Sequence, residues 1–145
     1  GSAPAAARRW CTGATNGEVR LRSYQVGAVP LINHFLRRLD VEATLRAHLP
    51  PDDARQELPT ERILALVVRN LLVSCEPLYG IPDWVARHAP ELFDLYHCDL
   101  PLLNDDRLGA SLERLATATT PEMIPALTRA AIRFAIAATS PARWV

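Results

Sequence analysis

The chain has 145 residues, 49% hydrophobic and 22% charged, with sixteen basic and sixteen acidic side chains in balance. That length fits one domain burying about two-thirds of its unfolded surface, and the composition is that of a globular chain and excludes a disordered one. Zero net charge excludes a surface that grips nucleic acid everywhere, because such affinity comes from neutralising phosphates, but it leaves a local patch open.

In chain order, Gly1 and Ser2 read as the scar of a cleaved tag, and the rest of residues 1–16, "APAAARRWCTGATN", as a flexible arm. "GEVRLRSYQVG", Gly17 to Gly27, alternates: Val19, Leu21 and Ser23 share one face, and Arg20, Arg22 and Tyr24 the other. That period predicts a strand, and a lone strand needs a partner, from a second copy or an absent domain. From Val29 the pattern is helical, with Pro30 in the first turn and Leu31, Phe35 and Leu39 on one inward face. A short helix follows, with Val41, Leu45 and Leu49 inward. Prolines and charges make Pro50 to Pro59 a loop. Thr60 then caps a helix that is apolar nearly all round (Ile63, Leu64, Leu66, Val67, Val68, Leu71, Leu72, Val73), the pattern of a central buried element.

Pro77, Gly80, Pro82 and Pro90 break the next segment into a turn and two short helices, about Pro82 to His88 and about Pro90 to Leu95. "PLLNDDRLGASLERL" then sets two aspartates before an apolar-periodic run. Asn104 is a preferred N-cap residue, and Asp105 and Asp106 face the positive end of the helix, worth roughly 0.3–1 kcal/mol each. Adjacent helical side chains diverge, whereas a two-metal site gathers carboxylates from separate elements. The pair therefore reads as a helix start, with Leu108, Leu112 and Leu115 packing inward. Thr120 opens the last helix, with Pro121 at its first position. The expected fold is all-α: a compact multi-helix bundle over residues 17–145 with an N-terminal extended basic arm or single strand.

The segments "VGAVPLINHFLRRLDVEATLRAHLP", "RNLLVSCEPLYGIPDWVAR" and "LLNDDRLGASLERL" carry a resemblance. They look like the N-terminal domain, of unknown function, of bacterial insertion-sequence transposases of the DDE type. It spans about Arg20 to Phe134, and the matching positions are Pro77, Leu78, Tyr79, Gly80, Trp84, Asn104, Asp105, Asp106 and Arg107. The resemblance implies that the catalytic carboxylates lie in a following RNase H-like domain. No such domain follows "SPARWV", so no strand transfer is expected of this chain, whether trimmed or a remnant.

All sixteen basic residues are arginine, which genome composition explains and which also suits bidentate phosphate contacts. Arg62 and Arg69 are seven apart on the central helix, Arg107, Ser111 and Arg114 line one side of the next long helix, and Arg129 and Arg133 are four apart on the last. With Arg20 and Arg22 on the arm, these are the candidate DNA contacts: arginines on phosphates, and Ser111 or Asn70 on a base edge. The competing reading is solvated faces paired locally with Glu61, Asp106 and Glu113. Tyr79, Trp84, Phe93 and Tyr96 cluster around the broken segment, either sealing the core or lining an apolar pocket. His97, Cys98, Asp99 and Cys75 have zinc-ligand types without zinc-ligand spacing, so no metal is expected. Three cysteines without CxxC spacing read as free thiols of a reducing compartment. No catalytic triad, phosphate loop or dinucleotide motif appears, so no catalytic residue or cofactor is assigned.

No apolar run is long enough for a membrane span, since Arg69 and Asn70 interrupt the longest, and no signal peptide is visible; the expected location is the cytoplasm. The expected function is that of a non-catalytic accessory domain, leaning away from an enzyme, that binds DNA or assembles with a second copy or an absent catalytic domain. The alternative is a stand-alone repurposed helical protein holding a protein partner or small ligand in an apolar pocket, with a small enzyme least supported.

Overall fold

The computed structural model describes residues 21–118 and 121–139. The described helices are α1 (Val29–Arg38), α2 (Val41–His48), α3 (Thr60–Val73), α4 (Ile81–Arg87), α5 (Asp105–Ala118) and α6 (Met123–Thr139). Short 3-10 turns lie at Leu78–Gly80, Pro90–Phe93 and His97–Leu102. The fold is all-α, and helix packing supplies its core.

α3 is the central element, packed against α1, α2 and α5. Ile63, Leu64, Ala65, Leu66 and Val67 are buried at consecutive positions, which only a helix surrounded by neighbours allows. Its two sides serve two clusters. Leu58, Ile63, Leu66 and Val67 meet Ile81, Trp84, Val85, Phe93, Leu103 and Leu108. Leu64 meets Leu45, Leu49 and Ala118. Each fully buried aliphatic or aromatic side chain contributes roughly 1.5–3 kcal/mol. Trp84 stacks on Phe93 at 4.9 Å between ring centroids and donates its indole N–H to Ser74 Oγ at 2.8 Å. The expected burial of this helix stops short of its C-terminal end, where Leu71 and Leu72 are each 60% exposed.

α1 presents a different face from the expected one. Val29, Asn33 and Leu36 are buried, whereas Leu31 and Phe35 are exposed. The cause is polar. Asn33 Nδ2 donates to the Leu92 carbonyl at 2.5 Å, and its Oδ1 accepts from Arg69 Nε at 2.7 Å, so an amide takes the inward position apolar periodicity gave to Leu31 and Phe35.

The predicted strand is also corrected. Among the described residues, Gln25 makes one parallel bridge to His88, with Gln25 N donating to the Arg87 carbonyl at 2.9 Å, and no strand forms. That contact lies at the C-terminal end of α4 in the same chain. Residues 1–20, and Arg20 with them, lie outside the described residues. The segment from Pro90 ends as a 3-10 turn because Asp94 takes a left-handed backbone, φ 57°. Helix α6 begins at Met123, later than expected, after a turn at Pro121–Glu122; Thr120 lies outside the described residues. Among the described residues, no single helix is long and apolar enough to cross a membrane.

Candidate functional site

The loop before α3 has few apolar residues but is held by hydrogen bonds on nearly every side. Asp52 Oδ2 accepts the Thr60 N–H at 2.8 Å and Asp52 Oδ1 accepts the Thr60 hydroxyl at 2.5 Å, so the helix cap comes from Asp52 and not from Thr60 itself. Gln56 Nε2 donates to Thr60 Oγ1 at 3.0 Å and to the Leu58 carbonyl at 2.9 Å. Arg114 on α5 closes the ring: Nη1 reaches Gln56 Oε1 at 3.4 Å and Asp52 Oδ1 at 3.2 Å. Its Nη2 donates to the carbonyls of Pro50 and Pro51 at 2.8 and 3.1 Å. Donor and acceptor roles are consistent around the circuit, with Arg114 only donating and Asp52 only accepting.

This loop forms one wall of a cleft of about 310 Å³. α5 forms the other wall with Arg107, Ala110, Ser111 and Arg114, positions spaced three and four apart and therefore on one helix face. Leu58, Thr60 and Ile63 line it at the start of α3, and Asp53, Arg55 and Gln56 along the loop. Leu58 and Ile63 are each only 3% exposed, so an apolar floor lies beneath a charged rim. Three arginines and one aspartate share the lining.

The three arginines have different tasks. Arg114 is committed to the loop. Arg55 and Arg107 have no side-chain hydrogen bond or ion pair among the described residues. Arg55 contacts the loop only through its backbone, donating its N–H to Asp53 Oδ1 at 3.2 Å. Arg107 is held through its backbone alone, its N–H capped by Asn104 Oδ1 at 2.8 Å and its carbonyl accepting the Ser111 hydroxyl at 2.8 Å. Asp105 and Asp106 fill the first turn of α5, exposed, where negative charge suits the helix dipole. Among the described residues, no three His, Cys, Asp or Glu side chains gather as a metal ion requires.

Of the arginines and serine predicted to meet DNA, the fold thus brings together Arg107, Ser111 and Arg114. Ser111 has a different role from the expected one: it is 3% exposed and donates its hydroxyl to the Arg107 carbonyl at 2.8 Å, which takes its proton away from any base edge. Asn70 is likewise buried and tied to Glu76, donating to its carbonyl at 2.7 Å and accepting its N–H at 3.0 Å. Arg69 is corrected outright. It is 1% exposed, bound to Asn33 and 3.4 Å from Glu42 Oε1, out of reach of any phosphate. Arg62 is half-buried, donates to the Asp94 carbonyl at 3.3 Å and does not line the cleft. Arg22 lies on the extended segment, donating to His97 Nε2 at 3.3 Å, which also contacts the Tyr24 hydroxyl at 3.0 Å.

The expected local partners differ too, since Glu61 pairs with Arg46 at 2.7 Å. The aromatic pocket does not form from its four candidates. Trp84 and Phe93 stack inside the core at 1% and 0% exposure, while Tyr79 and Tyr96 stand on the surface. Cys98 is disulfide-bonded and Cys75 is a free exposed thiol, so cysteine usage no longer points to a reducing compartment. Sequence reading missed Asp52, Asp53, Arg55 and Gln56 because loop residues carry no periodicity; the prolines around them marked only the loop.

Residues 21–128 match the family described as a domain of unknown function, DUF4277. The chain belongs to that family. The matched span covers all of α1 to α5 and both walls of the cleft, so the site lies within the DUF4277 domain. No curated protein and no solved structure matches the chain.

Proposed function

We propose that this chain is a non-catalytic DNA-docking domain of an insertion-sequence transposase-like protein, holding backbone phosphate in the cleft between the Pro50–Pro59 loop and α5. The observation that carries the reading is the pair Arg55 and Arg107, two arginines without an internal partner among the described residues, set on the rim of a cleft whose wall Arg114 holds in place. Guanidinium groups offer paired donors to phosphate oxygens, and the cleft needs no rebuilding to present them. The likeness of the three quoted segments to transposase N-terminal domains supplies the context.

Fluorescence anisotropy of a labelled duplex against the chain at about 50 and 200 mM salt tests this. Two phosphate contacts on B-DNA predict a slope near −1.8, or about a tenfold loss of affinity over that range. Arg107→Ala is expected to lower the slope by about 1. A lack of binding at the lower salt, or a slope unchanged in Arg107→Ala, would refute the reading.

A different observation favours assembly as a second role. Leu71, Leu72 and Tyr79 are 60%, 60% and 77% exposed. Apolar surface of that kind suits a protein contact, and self-association would make the melting temperature rise with concentration.

A further inference from the structure

The shape of the cleft deepens the reading just proposed, and rests on it. A duplex presents its phosphates along a stiff convex rod with the bases stacked inside, and a flat basic surface serves it well. The cleft is not flat. Its volume of about 310 Å³ lies at the lower end of small-molecule sites, about 300–1,000 Å³, and a phosphate alone would leave most of it unfilled. Its floor is apolar, with Leu58 and Ile63 nearly sealed from solvent beneath exposed Ala110. Its rim carries Arg55 and Arg107. Anion donors above an apolar floor match one chemical unit in DNA: a nucleotide out of its stack, with a phosphate on one side and a flat apolar base face on the other.

We propose that the cleft takes a single unpaired nucleotide, its phosphate held by Arg107 and Arg55 and its base lying against Ala110, over the small exposed edges of Leu58 and Ile63. The strand that supplies it is a single-stranded tail or a frayed end. A free nucleoside monophosphate shares the chemistry, and the experiment distinguishes the two.

Anisotropy is measured for the full chain with a blunt duplex and with a duplex of the same length carrying a short single-stranded tail. The tailed form is expected to bind about threefold tighter, below the roughly fivefold low end for a base stacked on an aromatic ring, since no aromatic residue lines the cleft. A deoxynucleoside monophosphate is expected to compete with both duplexes, since all three use Arg55 and Arg107, and an abasic deoxyribose phosphate to compete less well than the nucleotide does. Ala110→Trp places a bulky ring into the cleft from an exposed helical position and leaves every arginine intact. It should abolish the preference for the tail, read as the ratio of tailed to blunt affinity. Arg107→Ala should weaken both duplexes and gives a second test should the tryptophan variant fold poorly. Equal affinity for tailed and blunt duplex overturns this inference and leaves DNA docking standing. No binding to either duplex overturns both, and binding of the monophosphate alone assigns the cleft to a free nucleotide instead.

Discussion

Replacing Arg114 separates a residue that builds the cleft from residues that face it. Arg114→Ala removes contacts to four groups: the carbonyls of Pro50 and Pro51, Gln56 Oε1 and the Asp52 carboxylate. Pro50 and Pro51 are exposed, so their carbonyls regain water and contribute little to the loss. The Asp52 pair matters more. Its side chains are 30% exposed on Arg114 and 22% on Asp52, between a surface pair worth about 0–1 kcal/mol and a buried one whose breakage costs about 3–5 kcal/mol. Asp52 also caps α3, so its position bears on the central helix. Together these place the loss at roughly 1.5–3 kcal/mol, or about 3–12 °C in melting temperature for a chain of this size. Arg107→Ala, which breaks no internal side-chain bond, should stay within about 0.5 kcal/mol of the parent. Urea unfolding and thermal melts of both variants measure this. If Arg114→Ala melts with the parent, or Arg107→Ala loses as much, the division of labour drawn between the two arginines is wrong.

Four further outcomes follow from individual contacts. Arg69→Met leaves Asn33 Oδ1 without its buried donor and should cost about 2–4 kcal/mol by urea unfolding; adding Asn33→Leu should recover part of that, and a purely additive pair would argue against their coupling. Asn104→Ala removes the cap on the Arg107 N–H and should lower stability by about 1 kcal/mol, read from the thermal midpoint. Arg46 is held above its ordinary value first by its hydrogen bond to Glu61 and then by that carboxylate's charge. A cation raised in the folded state stabilises fully below its unfolded value and loses that contribution only as pH rises through the guanidinium range, so Arg46's contribution should not vary around neutral pH when Arg46→Ala is compared with the parent. Asp53→Asn keeps the acceptor for the Arg55 N–H and removes the one negative charge in the cleft lining, so DNA affinity should rise by roughly 1.5- to 5-fold, an exposed pair's 0.2–1 kcal/mol; weaker binding would mean that Asp53 itself touches the ligand.

What was legible in the sequence was whatever repeats. The run from Ile63 to Val67 announced a helix with no solvent face, and Asn104 followed by two aspartates announced the start of α5. Arg107, Ser111 and Arg114 share a face by spacing alone, and that face does line the cleft. What failed to show was any relation between distant residues. Asn33 looks like a polar interruption of an apolar stripe until Arg69, thirty-six positions on, is found to supply its donor. Arg69 looks like a surface cation for the same reason. Trp84 and Tyr79 are equally aromatic in the sequence, yet the indole N–H finds Ser74 inside the fold while Tyr79 stays exposed at 77%. The loop wall depends on Asp52 and Gln56, whose role appears only when Arg114, some sixty residues away, folds back on them.

Net charge misled for a related reason. A chain with equal numbers of acids and bases looks unsuited to holding an anion, but the sum says nothing about where the charges cancel. Here Glu42, Glu61, Glu76, Asp52 and Asp94 each lie within 4 Å of an arginine (Arg69, Arg46, Arg87, Arg114 and Arg37, respectively). Those acids are spent on fold contacts. Arg55 and Arg107, like Arg22, Arg62, Arg129 and Arg133, have no carboxylate partner among the described residues, and the fold places these two beside one cleft. A local excess therefore arises in a neutral molecule, limited to about two phosphates rather than six to ten. The consequence is measurable: a shallow salt slope near −1.8 separates this arrangement from an extended basic surface, which would lose about 10³–10⁵ in affinity over the same range.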